Sequence, residues 1–248
     1  MARLRSGLDT AMKTGGGQPI LPNENLFQRP AEYDEMLRRG IRLSGEDKQF
    51  FVAGRVRDLR SHLPELHPRR VLDYGCGTGE ATAFLARTFP EAEVVGVDAS
   101  EPALSHGRAR HGSPRLAFVP LQDLEQLASF DLCYSSGVFH HIPPPQRLGS
   151  LHRIHRALKP GGVLALFENN PWNPGTRWVM SRIPFDRDAV TLTPEEARRL
   201  VQAAGFRPVA PTRFLFYFPR LLKYFRPIEP WLARLPLGAQ YYVLARKE

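Results

Sequence analysis

Val71-Leu72-Asp73-Tyr74-Gly75-Cys76-Gly77-Thr78-Gly79 decides how this chain is read. A short apolar run ends in an acid, three glycines alternate, and Glu80 to Phe89 continues as a helical pattern. Strand, glycine loop and helix in that order form the unit that seats an adenosine-bearing ligand. Glycines are needed where backbone turns sharply and must approach a ligand closely. A loop built for a pyrophosphate presents bare N–H groups and keeps carboxylates away. Asp73, at the mouth of the strand, instead suits a ligand that carries an ammonium group.

About 20 residues on, Glu93-Val94-Val95-Gly96-Val97-Asp98-Ala99-Ser100 reads as a second strand ending in an acid. An acid at this spacing accepts hydrogen bonds from ribose hydroxyls, which a nicotinamide enzyme also needs, so Asp98 alone decides nothing. Two acids around Gly-x-Gly-x-Gly, in place of Gly-x-Gly-x-x-Gly, favour the sulfonium cofactor S-adenosylmethionine.

Farther along stand FDLCYSSGVFHHI, at Phe130–Ile142, and LHRIHRALKPGGVLALFE, at Leu151–Glu168. With VLDYGCGTG and VVGVDAS, these segments give residues from about Val71 to Phe206 a resemblance to the class I S-adenosylmethionine-dependent methyltransferases. The resemblance is to their small-molecule branch, of natural-product and ubiquinone type. It implies an α/β, Rossmann-like sheet of seven strands in the order 3-2-1-4-5-7-6, the last strand antiparallel.

Strands are predicted near 70–74, 93–98, 116–120, 130–135 and 162–168, with helices near 79–89, 101–110, 145–158 and 194–204. Alternation of this kind argues a parallel sheet covered on both faces. Phe214–Phe218 and Tyr241–Arg246 supply the last two strands. Residues 1–22, with Gly15-Gly16-Gly17, read as a flexible leader, and 23–68 as an N-terminal helical lid. Residues 69–248 form the methyltransferase domain, with insertions at about 169–192 and 219–240.

At 248 residues, 42% of them hydrophobic, the chain has enough apolar mass for one full core. Its net charge of +9 comes from arginines spread along the whole sequence, without the basic block typical of a nucleic-acid site. Two cysteines exclude a disulfide framework. No apolar segment near the first residues has the character of a signal peptide, and no run approaches a membrane span, so a reducing cytoplasm is the expected location. A small-molecule acceptor is the expected partner, with the protein a monomer or homodimer. Action on RNA or on a lipid- or quinone-like acceptor, and a non-catalytic binding role, are the alternatives.

Methyl transfer is an in-line displacement at an activated carbon, so the protein supplies position, desolvation and, for some acceptors, a base. His140 and Glu168 are the candidate bases. The resemblance implies cofactor contacts from Asp73, Gly75, Cys76, Gly77, Gly79, Asp98, Ala99 and Ser135, and from Arg55 to the cofactor carboxylate. The adenine falls to Gln122 by direct register or to Asp123 in a longer loop, with Leu124 beside them. Tyr33, His140, Asn170 and Trp172 are candidate acceptor contacts. His141 reads as structural. His152 and His155 have a metal-like spacing, but arginines interleave them and no carboxylate is near, so no metal is expected. From Thr212 to Arg234, seven aromatics alternate with five basic residues and one acid. This stretch is expected to pack its aromatics inward as a lid or dimer contact, the alternative being interfacial contact with a lipid surface.

Overall fold

The computed structural model describes residues 30–186 and 189–248; the leader predicted for 1–22 lies outside them. Two helices, α1 (Pro30–Ile41) and α2 (Lys48–His62), precede the sheet. The core then runs β1 (Arg70–Tyr74), α3 (Glu80–Thr88), β2 (Glu93–Asp98), α4 (Glu101–His111), β3 (Leu116–Pro120), β4 (Phe130–Ser136), α5 (Pro144–Ala157) and β5 (Leu158–Asn169). After it come α6 (Pro174–Arg182), α7 (Pro194–Ala203), β6 (Phe206–Pro208), β7 (Arg213–Leu215), α8 (Glu229–Leu232) and β8 (Gln240–Lys247).

The five leading strands are parallel, in the order β3-β2-β1-β4-β5. β8 pairs antiparallel to β5 beyond them. The far edge of β8 carries two short strands where the sequence predicts one: β6 pairs with Ala245–Lys247 and β7 with Gln240–Tyr242. The sheet therefore has eight strands: β7 overlaps the strand expected at Phe214–Phe218 but ends at Leu215, and β6 is a further short piece set apart from it. Pro208 and Pro211 give the reason, since a proline has no N–H to continue a ladder.

Because helices cover both faces, consecutive residues of the central strands β1, β2 and β4 are nearly all buried and divide by parity. Leu72, Val95, Cys133 and Leu164 pack toward α5 and α7. Val71, Val94, Leu132 and Val163 pack toward α2 and α3 with Val56, Leu59 and Leu85. Asp73 falls on this second face, one residue short of the end of β1, which aims its carboxylate at the first turns of α3.

Gly79 starts α3 with φ +85°, and a Cβ there would lie 2.5 Å from Cε1 of Phe118. Gly79→Ala is expected to cost about 2–4 kcal/mol, the sum of left-handed strain and overpacking. Gly161→Ala has a similar φ of +77° in open surroundings, so it should cost only about 1–2 kcal/mol. Urea unfolding of both variants checks the difference.

Candidate functional site

The carboxyl ends of β1, β2, β4 and β5 open into one cavity of about 1060 Å³, where ligands bind in open α/β sheets. α1, α2, the 169–186 insertion and residues 216–219 wall its outer side. Asp73, Gly75, Cys76, Gly77, Asp98 and Ala99 all line it, so the quoted glycine loop and the second acid share one cleft. Of that first motif, Gly79 stands off the cavity and serves the helix start.

Gly77 (φ +53°) has no atom within 4 Å of where a Cβ would sit, and its N–H donates to Asp98 Oδ2 at 2.8 Å. Asp98 Oδ1 accepts from the Ser100 N–H at 2.8 Å. Asp98 therefore pins the loop to the end of β2 and keeps further lone pairs for a ligand hydroxyl. Burial raises its pKa, against the pull of those backbone N–H groups.

Asp73 is buried and accepts from Thr82 Oγ1 at 2.7 Å. Burial raises its pKa to about 7, with the Thr82 hydrogen bond opposing and the charge of Asp98 reinforcing the shift. Two buried carboxylates in one cleft, both with raised pKa values, call for a cation. A pyrophosphate would meet both acids and find the Gly77 N–H already given to Asp98. The residues present thus fit a nucleoside that carries positive charge, and Thr82, which the sequence reading missed, sets the Asp73 carboxylate from inside α3.

Arg55 reaches the cavity wall, donating from Nε to Tyr134 Oη and from Nη1 to Gln240 Oε1, both at 2.9 Å. Cys76 packs with Leu104 and Phe118, and burial pushes its thiol pKa well up. Ser135 corrects the reading: its Oγ is buried without a partner, and Ser136, one residue on, lines the cavity. The loop after β3 corrects it again. Gln122 is exposed, Asp123 half-buried and Leu124 sealed in the core, while Leu121 is the residue facing the cavity. These residues form a tight helical turn, Leu121–Gln126, in which the apolar side chains take the inward positions.

Glu168 does not face the cavity. Its Oε1 accepts from the N–H groups of Val138 (3.1 Å) and Phe139 (2.7 Å), and its Oε2 contacts His140 Nδ1 at 2.6 Å. His140 Nε2 lies 3.5 Å from Asp186 Oδ1 on its other side. Burial alone would depress the His140 pKa, but Glu168 and Asp186 outweigh it and raise it to about 10. At neutral pH the ring is an imidazolium between two carboxylates. Both candidate bases are thereby corrected: His140 already holds its proton, and Glu168 is spent on three hydrogen bonds.

His141 takes the opposite character. It lines the cavity, its Nε2 is 3.4 Å from Asp186 Oδ1, and burial together with the charge on His140 lowers its pKa to about 2. Donor atoms of His140, His141 and Asp186 lie within 4.8 Å of one another, a separation a metal ion can bridge. Asp186 belongs to no motif, and no spacing in the sequence points to it.

The insertion after β5 also differs from the reading. Asn170 is buried, its amide donating to the Gly238 carbonyl (2.8 Å) and the Pro236 carbonyl (3.1 Å), which ties the two insertions together. Trp172 is half-exposed and stacked on Phe214, off the cavity. Asn173, Thr176 and Trp178 line it instead. Tyr33 lies on α1, and its side chain falls outside the described residues. Among the described residues no helix is long and apolar enough to cross a membrane.

Residues 71–162 match the family model of a methyltransferase domain. A trans-aconitate 2-methyltransferase of Deinococcus radiodurans is 44% identical over 111 residues, 45% of this chain and 42% of that protein. Another, from an Azoarcus species, is 32% identical over 179 residues, 71% of this chain and 64% of that protein. The chain spans about half the length of the curated relatives it matches. Among solved structures, a SAM-dependent methyltransferase from Archaeoglobus fulgidus superposes with a TM-score of 0.62 at 21% identity, covering 81% of this chain and 95% of that one. The sheet order, the acid pair around its glycine loop and the matched segment identify residues 71–162 as a methyltransferase domain of the class I S-adenosylmethionine-dependent kind.

Proposed function

We propose that this protein transfers a methyl group from S-adenosylmethionine to a small organic acceptor held in the same cavity, in specialised metabolite biosynthesis. The observation that carries the reading is the convergence of Asp73, Asp98 and the Gly75–Gly77 turn with the segment Ser136–His141 on one cavity. Bound there, the sulfonium supplies an activated methyl carbon, so the protein's task is alignment and exclusion of water. Asp98 would hold the ribose hydroxyls. Asp73 would face the ammonium group, and Gly77 leaves room for the close approach.

The acceptor side is built from His141, Gln146, Ser150, Arg153, Asn173 and Trp178, roofed by α1 and α2 acting as a lid. His141 stays neutral across the working range and can orient an acceptor hydroxyl or amine without charging. Neither His140 nor Glu168 is free to take a proton. Transfer then relies on positioning, and an acceptor that must lose a proton releases it to water. The relatives named for trans-aconitate methylation, a small carboxylic acid, favour a polar acceptor near Arg153.

Calorimetry with S-adenosylhomocysteine tests the reading. Wild-type protein should bind it, and Asp98→Ala should weaken binding about 10–100-fold, the worth of hydrogen bonds to a charged group. Absence of binding by wild type, or equal binding by the folded variant, removes the assignment.

A further inference from the structure

The stretch Thr212–Arg234, expected to fold its aromatics inward, turns much of its apolar surface out. Within the helical segment Arg220–Ile228 no residue is buried. Leu221 is 89% exposed, Tyr224 81% and Trp231 84%, with Phe225, Leu235 and Leu237 exposed beside them. A group of this size on one short stretch exceeds the scattered apolar exposure of an ordinary surface.

The stretch is not a loose tail. Tyr217 Oη donates to the carbonyls of Leu232 (2.5 Å) and Leu235 (2.8 Å), and the Phe214 N–H donates to the Ala233 carbonyl at 2.8 Å. Arg226 pairs with Glu46 at 2.8 Å and stacks over Phe50. The apolar tips are thus displayed from an anchored base, next to the cavity wall formed by Phe216–Pro219.

Charge selects among occupants. Arg220, Lys223 and Arg234 are exposed within the same stretch. Its one acid, Glu229, is turned inward, accepting from the Phe218 N–H at 3.1 Å, and burial raises its pKa. The outward surface therefore combines aromatic and aliphatic tips with cations and offers no exposed carboxylate. Aromatic and leucine tips sink to the headgroup boundary while cations meet anionic lipid.

We propose that residues 220–237 form a docking surface for an anionic lipid bilayer. This goes beyond methyl transfer and does not depend on it. Co-sedimentation with phosphatidylcholine vesicles, with and without added phosphatidylglycerol, tests it at low ionic strength. The protein should pellet with the anionic vesicles and largely stay in solution with the neutral ones. Binding should fade as salt screens the cations. Brominated lipid should quench tryptophan emission, and Trp231→Phe should remove most of that quenching.

Lys223→Glu and Arg234→Glu should each weaken partitioning about fivefold or more. The triple variant Leu221→Ser, Tyr224→Ser, Trp231→Ser should weaken it at least about tenfold. Circular dichroism checks folding independently of any cofactor, so a failed methyltransferase assignment leaves this test readable. Three outcomes would overturn the proposal: no pelleting of folded wild type with anionic vesicles, pelleting unchanged in the triple variant, or a dimer in solution that the triple variant dissociates.

Discussion

Glu168→Ala should be among the most damaging single substitutions in this chain, lowering stability by about 3–5 kcal/mol. The variant strands the His140 ring without its closest counter-charge and leaves the N–H groups of Val138 and Phe139 without an acceptor. Glu168→Gln keeps one acceptor oxygen and should lose less. Because the two backbone donors are orphaned whatever stands at position 140, Glu168→Ala should still destabilise a His140→Phe background. Urea denaturation of wild type, the three single variants and the double variant measures this. Were Glu168 instead a catalytic base, Glu168→Ala would abolish transfer while leaving unfolding unchanged.

The same pair ties stability to alkaline pH. His140 titrates higher in the folded protein than in the unfolded chain. Its contribution is complete below about pH 6.5, the unfolded value, and disappears as pH rises through about 10. Thermal melts should therefore fall across that window, and His140→Phe should flatten the slope.

Cofactor binding should in turn depend on pH through Asp73. In the empty site this acid titrates at about 7, raised chiefly by burial. An ammonium group pairs with the ionised form, so binding should release a proton, and affinity for S-adenosylhomocysteine should fall about tenfold per pH unit below 7. Asp73→Asn should cost about 30-fold to 1000-fold at pH 8, the range for truncating one partner of a buried charge pair. It should also erase the pH dependence between 5 and 7. Calorimetry in buffers of different ionisation enthalpy counts the released protons directly, and a wild-type affinity flat from pH 5 to 8 would contradict the role given to Asp73.

The opposed shifts of the two neighbouring histidines matter for chemistry. His140 carries charge where His141 does not, and that charge is part of what keeps His141 neutral. Both rings line the cavity, so the neutral His141 can meet an acceptor while the proton on His140 is held between Glu168 and Asp186.

By itself the sequence determined the five parallel strands, their order and the cleft at their carboxyl ends. β1, its glycine loop and α3 are contiguous, and the acid ending β2 is brought to them by strand pairing alone, through Asp73 opposite Gly96. Local spacing suffices wherever a site is built from one supersecondary unit and its immediate neighbour. Tertiary structure alone decided the acceptor side. Whether Glu168 faces ligand or backbone depends on how β5 lies against the segment leaving β4, and Asp186 reaches the histidines only because its insertion folds back over them. Which face of 220–237 meets water was settled the same way, by hydrogen bonds from Tyr217 and Asn170 to carbonyls far along the chain. Such long-range contacts leave no periodic trace, because they depend on the approach of segments and not on the residues within any one of them.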